Sequence, residues 1–220
     1  MFQIKNLHKT YDGGDKEVHV LAGLDFSCDD GEFVGIFGAS GAGKSTLLHI
    51  IGGLDRPTDG EVKFDGADIY KKNGRELASF RNRQIGFVFQ FYHLLPEFSA
   101  LENVMIPCLI AGLASKEARE RALSSLSVVS MFERKNHRPS ELSGGEQQRV
   151  AFARAVVMQP RFILADEPTG NLDEVAGERV FSHLEHLHKE TKTGIIMVTH
   201  NPQILYRIPR RLELKDGKLK

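Results

Sequence analysis

At 220 residues, with 41% hydrophobic and 26% charged side chains, the chain suits one large domain or two small lobes, and its composition excludes global disorder, collagen-like repeats and disulfide scaffolds. Lys plus Arg number 29 and Asp plus Glu 29, so the formal charge is zero and no bulk positive field exists for coating nucleic acid. The apolar run Val104 to Leu113 is broken by Pro107 and falls well short of the roughly 20 residues a membrane helix needs. The start, Met-Phe-Gln-Ile-Lys-Asn, lacks a basic segment followed by an apolar stretch, so the expectation is a cytoplasmic protein with no span of its own. Cys28 and Cys108 lie far apart, without the close Cys or His spacing of a zinc site, and read as two buried thiols with no metal or redox role.

In chain order, Phe2, Ile4 and Leu7 open a strand, and Glu17 to Cys28 alternates apolar and polar residues, which together predict an antiparallel edge sheet. Phe33 to Phe37 is a short buried-type strand that stops at a glycine-rich stretch, after which Lys44 to Gly53 has helical character. Glu61 to Phe64 and Gln84 to Phe89 read as further strands. Ser99 to Ser130 carries two helical stretches parted near Gly112 to Ser115. Then come a helix from Gly145 to Met158, a strand from Phe162 to Ala165, a helix near Glu174 to Lys189, a strand from Ile195 to Thr199, and a hairpin-like finish over Leu212 to Leu219. The alternation predicts an α/β fold: a mainly parallel sheet flanked by helices, an antiparallel β edge, and a helical insert at about residues 91–158.

Gly38-Ala39-Ser40-Gly41-Ala42-Gly43-Lys44-Ser45 fits G-x-x-x-x-G-K-[ST] at every constrained position, between a predicted strand and a predicted helix. The glycines let backbone N–H groups turn inward around phosphate oxygens, and the helix presents its positive end to the same anion. Lys44 is placed to reach the β and γ phosphates, and Ser45 to give its hydroxyl to Mg²⁺. Phe162-Ile163-Leu164-Ala165-Asp166-Glu167 then supplies an apolar strand ending in two acids: Asp166 suits the magnesium shell and Glu167 the activation of an attacking water. In Leu142-Ser143-Gly144-Gly145-Glu146-Gln147-Gln148-Arg149, a serine and two glycines precede a helix. That is either a second anion site or a capping box of Ser143 with Glu146, and both readings can hold together.

This last stretch resembles the signature of ABC ATPases, and the resemblance covers nearly the whole chain, with each remaining element matched in order. It implies an ABC ATPase fold over residues 1–220, a P-loop NTPase core with the β edge (1–90 and 159–220) and a helical subdomain (91–158). It further implies that Tyr11 stacks on adenine, Thr46 joins Gly38, Ser40, Gly41, Gly43, Lys44 and Ser45 around the nucleotide, and Gln90 senses Mg²⁺ and water. Asn171-Leu172-Asp173 would be the D-loop and His200, which holds nucleotide and water geometry, the switch histidine; Asn201 stands where many relatives carry Asp, with little consequence expected. In that family the signature serine of one subunit, here Ser143 with Gly145, completes the phosphate site of another, so the resemblance implies a homodimer closing on ATP and Mg²⁺.

Two segments, Gln90 to Val104 and Asn136 to Leu142, resemble the ATPase subunits of lipoprotein-releasing (Lol) transporters, whose near relatives are macrolide-efflux and cell-division ATPases. The first reading is a transport ATPase on the cytoplasmic face of the inner membrane, with integral membrane partners; the alternatives are efflux, or a signalling subunit that controls a membrane partner without transport. A DNA-repair or translation ATPase is disfavoured because coiled-coil insert, second cassette and basic surplus are all missing. Phe91, Tyr92, Leu94, Leu95 and Phe98, rimmed by His93 and Glu97, would form the surface where a partner's helix docks, although Leu95 and Phe98 read equally as core. An acyl chain of about sixteen carbons exposed to water costs on the order of 13 kcal/mol at about 0.8 per CH₂, so a lipoprotein cargo would be handled by the partners.

Overall fold

The computed structural model describes residues 1–14 and 16–220. The first elements are β1 (Phe2–Asp12), β2 (Glu17–Cys28), β3 (Phe33–Phe37), α1 (Lys44–Ile51), β4 (Asp59–Phe64), β5 (Ala67–Asp68), α2 (Gly74–Gln84) and β6 (Ile85–Phe89). They are followed by α3 (Ala100–Ile110), α4 (Ser115–Val128), α5 (Gly144–Val156), β7 (Phe162–Asp166), α6 (Glu174–Thr191), β8 (Gly194–Val198), α7 (Pro202–Arg207), β9 (Arg210–Lys215) and β10 (Lys218–Leu219). These form two compact units, Met1–Arg81 with Gly194–Lys220, and Asn82–Thr193.

In the first unit an antiparallel sheet runs β2-β1-β4-β5, with Phe2 opposite Cys28 on one side and Phe64 on the other. The expected antiparallel edge is therefore present. A second set runs β10-β9-β3-β8, in which β3 is parallel to both β8 and β9. Its inner strands β3 and β8 are apolar because both faces are covered: Val34, Ile36 and Ile195 to Val198 are all inaccessible to solvent. Helix α1 packs on β8, and Leu47, Leu48, Ile50 and Ile51 are at most 1% exposed. At about 1.5–3 kcal/mol for each such side chain, this burial holds the start of α1 against the sheet.

The second unit pairs β6 with β7 in parallel, Ile85 to Phe89 lying opposite Phe162 to Asp166. Helices α3, α4 and α5 pack on one another, and α5 also packs on β6. The crossing is close, since a Cβ at Gly86 would sit 2.4 Å from the Ala155 carbonyl oxygen. Pro107 lies inside α3, where it removes one helical N–H donor, and the Pro107 carbonyl accepts from Asn82 Nδ2 at 3.1 Å. Both cysteines are buried and free. Burial pushes the Cys28 thiol up to about 12, with the nearby Glu32 carboxylate adding to the effect, which agrees with an inert structural role. Among the described residues, no helix is long and apolar enough to cross a membrane.

Candidate functional site

The residues singled out above fall on strand ends and helix starts in each unit. In the first unit, Ile36 of β3 pairs with Val198 of β8, so the chain leaves two neighbouring parallel strands at the same edge, into the phosphate loop on one and His200 on the other. Ligand sites of open α/β sheets gather at this carboxyl edge. Gly38 (φ 151°) could not carry a side chain, because a Cβ would lie 2.3 Å from the Leu214 carbonyl oxygen. Gly43 (φ 96°) is the N-cap of α1, and a Cβ there would lie 2.6 Å from Val20 Cγ1. The motif's glycines at these positions are thus required by packing as well as by conformation.

Helix α1 begins without a side-chain cap and with no acidic residue in its first turn. Helices α3, α5 and α6 begin instead on Ser99, Ser143 and Asp173, each accepting a backbone N–H. An uncapped helix start keeps unpaired N–H groups and the positive end of the dipole for an external anion. Lys44 Nζ meanwhile donates to the Gly38 and Ala39 carbonyls at 3.0 and 2.8 Å, so the ammonium is held within the loop it is to serve. Ser40, Gly41 and Ser45 are exposed. These features fit a polyphosphate.

Tyr11 is 39% exposed, near the end of β1. Its hydroxyl donates to Asp55 Oδ2 at 2.6 Å, the Thr46 side chain reaches the same hydroxyl, and Lys9 Nζ sits 4.4 Å from the ring centroid. Burial and then the Asp55 carboxylate raise the Tyr11 phenol above its ordinary range. His200 is exposed after β8, and Asn201 caps α7 by accepting from Gln203 N and Ile204 N at 2.9 and 3.3 Å. An aspartate would cap in the same way, which accounts physically for the small effect expected of Asn201.

In the second unit the β6–β7 ladder ends at Phe89 opposite Asp166, so Gln90 and Glu167 are the next residues on adjacent strands. Glu167 has a left-handed backbone (φ 46°), an arrangement that concentrates at functional sites. Asp166 Oδ1 is buried with no hydrogen-bond partner, a carboxylate oxygen suited to the hydration shell of a cation, and within this unit the oxygens of Gln90 and Asp166 are of the hard donor type that suits Mg²⁺. Gln90 is held by a reciprocal amide pair: its Nε2 donates to Asn171 Oδ1, and Asn171 Nδ2 donates to the Gln90 carbonyl, each at 3.1 Å.

Ser143 is the N-cap of α5 and forms the capping box with Glu146: Glu146 N donates to Ser143 Oγ at 3.3 Å and Ser143 N to Glu146 Oε2 at 2.8 Å. The hydroxyl accepts in this box, which leaves its proton to donate to an anion, so the capping box is compatible with the anion-site reading of the motif. Gly145 lies close to α6, where a Cβ would be 3.0 Å from Ala176 Cβ. Asp173 caps α6 through Oδ1, accepting from Ala176 N at 2.8 Å. Ser143, Gly145 and Asp173 line one open cavity of about 730 Å³ with Arg149, Asn171 and Arg179. The two arginines, which no sequence motif singles out, share that lining with two acids, Glu146 and Asp173, so cationic and anionic groups stand side by side in it.

The segment after Gln90 exposes Phe91 (66%), Leu95 (43%) and Phe98 (41%), so the latter two are surface and not core. Asn103, wholly buried, shapes this segment: Leu95 N donates to its Oδ1 at 2.8 Å, and its Nδ2 faces the carbonyls of Leu95, Phe98 and Ser99 at 3.0–3.1 Å. Arg154 holds the Tyr92 and His93 carbonyls at 2.9 and 2.6 Å.

A phosphate loop, a signature helix and an acid-tipped strand define a nucleotide-binding cassette, and the chain belongs to the ABC transporter family, whose model matches residues 21–170. Among its relatives, it is 51% identical to the lipoprotein-releasing system ATP-binding protein LolD of Syntrophus aciditrophicus, covering 100% of this chain and 98% of that one. It is 49% identical to the LolD of Geobacter metallireducens over 100% of this chain and 97% of that one. Among solved structures, a dimeric post-hydrolysis state of the ATP-binding cassette MJ0796 bound to ADP and Pi superposes with a TM-score of 0.93 at 41% identity, covering 100% of this chain and 97% of that one. A second dimeric structure of MJ0796, a bacterial ABC transporter cassette, gives 0.93 at 42% identity with the same coverage.

Proposed function

We propose that this chain is the ATP-hydrolysing subunit of an ABC transporter of the lipoprotein-releasing type, acting as a homodimer with integral membrane subunits at the cytoplasmic face of the inner membrane. The observation that carries the chemistry is the uncapped, glycine-built start of α1, with Lys44 bound to loop carbonyls in reach of an incoming phosphate. Full-length identity near one half to proteins named for lipoprotein release supports the cargo class and the membrane setting.

In this reading Lys44 exchanges its carbonyl partners for the β and γ phosphates, while the loop N–H groups of Ser40, Gly41 and Gly43 surround the same oxygens. Tyr11 offers its ring to the adenine. Mg²⁺, when bound through Ser45, Gln90 and Asp166, neutralises phosphate charge. Glu167 orients the attacking water and takes its proton, and His200 holds the γ-phosphate geometry. Ser143, Gly145 and Asp173 serve the nucleotide of the second copy, so closure is coupled to ATP and opening to its hydrolysis. The lipid path of such a cargo belongs to the membrane partners.

Substitution of Glu167 by Gln tests the reading. Hydrolysis should fall about 100- to 10,000-fold while ATP is still bound, leaving an ATP-trapped dimer on size-exclusion chromatography with light scattering. Normal turnover in that variant would remove Glu167 from its role. Co-purification with a membrane complex that binds lipoproteins supports the cargo, and recovery with cell-wall regulators instead would overturn it.

A further inference from the structure

Gln148 lies on α5, 1% exposed, and does not face the cavity that Ser143 lines. Its Nε2 donates to the Phe89 carbonyl at 3.1 Å and to the Pro168 carbonyl at 2.6 Å. Both N–H bonds of one amide are therefore committed to two backbone oxygens. The opposite amide orientation would crowd three oxygens together, so chemistry fixes which end faces them. Its own Oε1 is buried without a hydrogen-bond partner, an unfavourable feature that an apolar residue of similar size would not carry.

The two carbonyls flank the catalytic candidates. Phe89 immediately precedes Gln90, and Pro168 immediately follows Glu167. The β6–β7 ladder stops at the Phe89–Asp166 pair, and the left-handed backbone of Glu167 prevents it from continuing. Beyond that point, Gln148 joins the two chain segments through one rigid planar group, where a ladder rung would otherwise have stood. The reciprocal pair of Gln90 and Asn171 makes a second tie between the segments that follow β6 and β7.

We propose that Gln148 is a positioning residue for ATP hydrolysis: by bridging the backbones beside Gln90 and Glu167 it fixes the separation of the glutamine that senses metal and water from the carboxylate that activates the water. The inference rests on the ATPase reading above. Rates fall steeply when a catalytic group is displaced by about 1 Å, by roughly 100-fold, so a brace between two such groups acts on turnover and not on nucleotide affinity.

The test compares the purified wild-type chain with Gln148→Met, Gln148→Asn and Gln148→Glu, measuring kcat and KM for ATP against pH, nucleotide binding in EDTA, and Tm. Gln148→Met removes the donor, and Gln148→Asn is too short to reach both carbonyls. In each, kcat should fall about 10- to 100-fold with KM and nucleotide affinity held within about twofold. Gln148→Glu is the sharper probe. Ionised, it sets a carboxylate against two carbonyls; protonated, it donates one O–H bond, so its kcat should recover as pH falls, relative to wild type and the other two variants. A packing role alone would lower Tm and weaken nucleotide binding together with kcat, and would show no such recovery. The proposal is overturned if Gln148→Met turns over within twofold of wild type, or if the Gln148→Glu profile parallels wild type. Should Gln148→Met fail to fold, the Gln148→Glu profile decides alone. Failure of the wild-type chain to hydrolyse ATP would instead sink the ATPase reading, a result separable from any of these.

Discussion

Tyr11 cannot swing freely, because the side chains of Lys9 on its own strand and of Thr46 and Asp55 elsewhere in the first unit hold it. Lys9, only 9% exposed, pairs with Asp55 at 2.8 Å, donates to the Arg56 carbonyl at 2.8 Å and stands over the ring, while Asp55 takes the phenol proton bond. Asp55 is pushed upward by burial, but the hydrogen bonds from Lys9 and Tyr11 outweigh this and hold its carboxyl below the ordinary value of 3.8. A depressed carboxylate contributes stability that is complete above its ordinary value and is lost as pH falls through the lower folded value. Replacing Asp55 with Ala should therefore loosen the ring and raise KM for ATP about three- to tenfold, the effect of roughly 1 kcal/mol of lost hydrogen bonding, with kcat little changed. Steady-state kinetics read this directly, and a falling kcat at constant KM would contradict it. Lys44, Asp166, Glu167 and Ser143 were legible in the sequence because their motifs are contiguous and sit beside recognisable elements. Asp55 and Gln148 were not: Tyr11 and Asp55 are 44 positions apart, and Gln148 reaches 59 positions back to a backbone atom, which leaves no trace in any local pattern.

Helix starts show the division of labour at the scale of elements. Three long helices close their own first turns with Ser99, Ser143 and Asp173, whereas α1 leaves its first turn to a ligand. In α5 the backbone N–H of Ser143 holds the Glu146 carboxyl below its ordinary value of 4.5, against the upward push of partial burial. The sign is again that of a depressed carboxylate: stability is present at neutral pH and drains away as pH falls below 4.5. Glu146→Ala should cost α5 about 1 kcal/mol at pH 7, whereas Glu146→Gln, which can still accept from Ser143 N, should cost a few tenths. Thermal melts at pH 7 and pH 4 would show the wild-type chain approaching the Glu146→Gln variant on acidification. A pH-independent gap between them would refute the assignment. The sequence marked this helix start because the capping box is a four-residue pattern, and it bounded β2 and β3 as observed because their ends coincide with turn residues. It did not mark α2 or α7, which bury only Leu77 and Phe80, and Ile204, and so present no apolar stripe at helical spacing.

At the scale of the whole molecule, each chain carries one phosphate loop and one signature helix, and the proposed homodimer uses each against the other copy. This arrangement gives a prediction that a self-contained site does not. Lys44→Ala destroys the loop and spares the signature; Ser143→Ala does the reverse, and each variant alone should be nearly inactive, since loss of one phosphate-stabilising donor typically costs about 100- to 1,000-fold. Mixed in equal amounts and paired at random, about half of the dimers contain one copy of each variant. In such a dimer one composite site has lost both groups, but the other joins the intact loop of the Ser143→Ala copy to the intact signature of the Lys44→Ala copy. If the two sites turn over independently, mixing two dead proteins restores about a quarter of wild-type hydrolysis. Were loop and signature of the same chain to serve one nucleotide, every site in the mixture would lack one group and nothing would return. Mixed dimers that form on size-exclusion chromatography yet show no recovered hydrolysis and retain no extra nucleotide would therefore exclude the shared site.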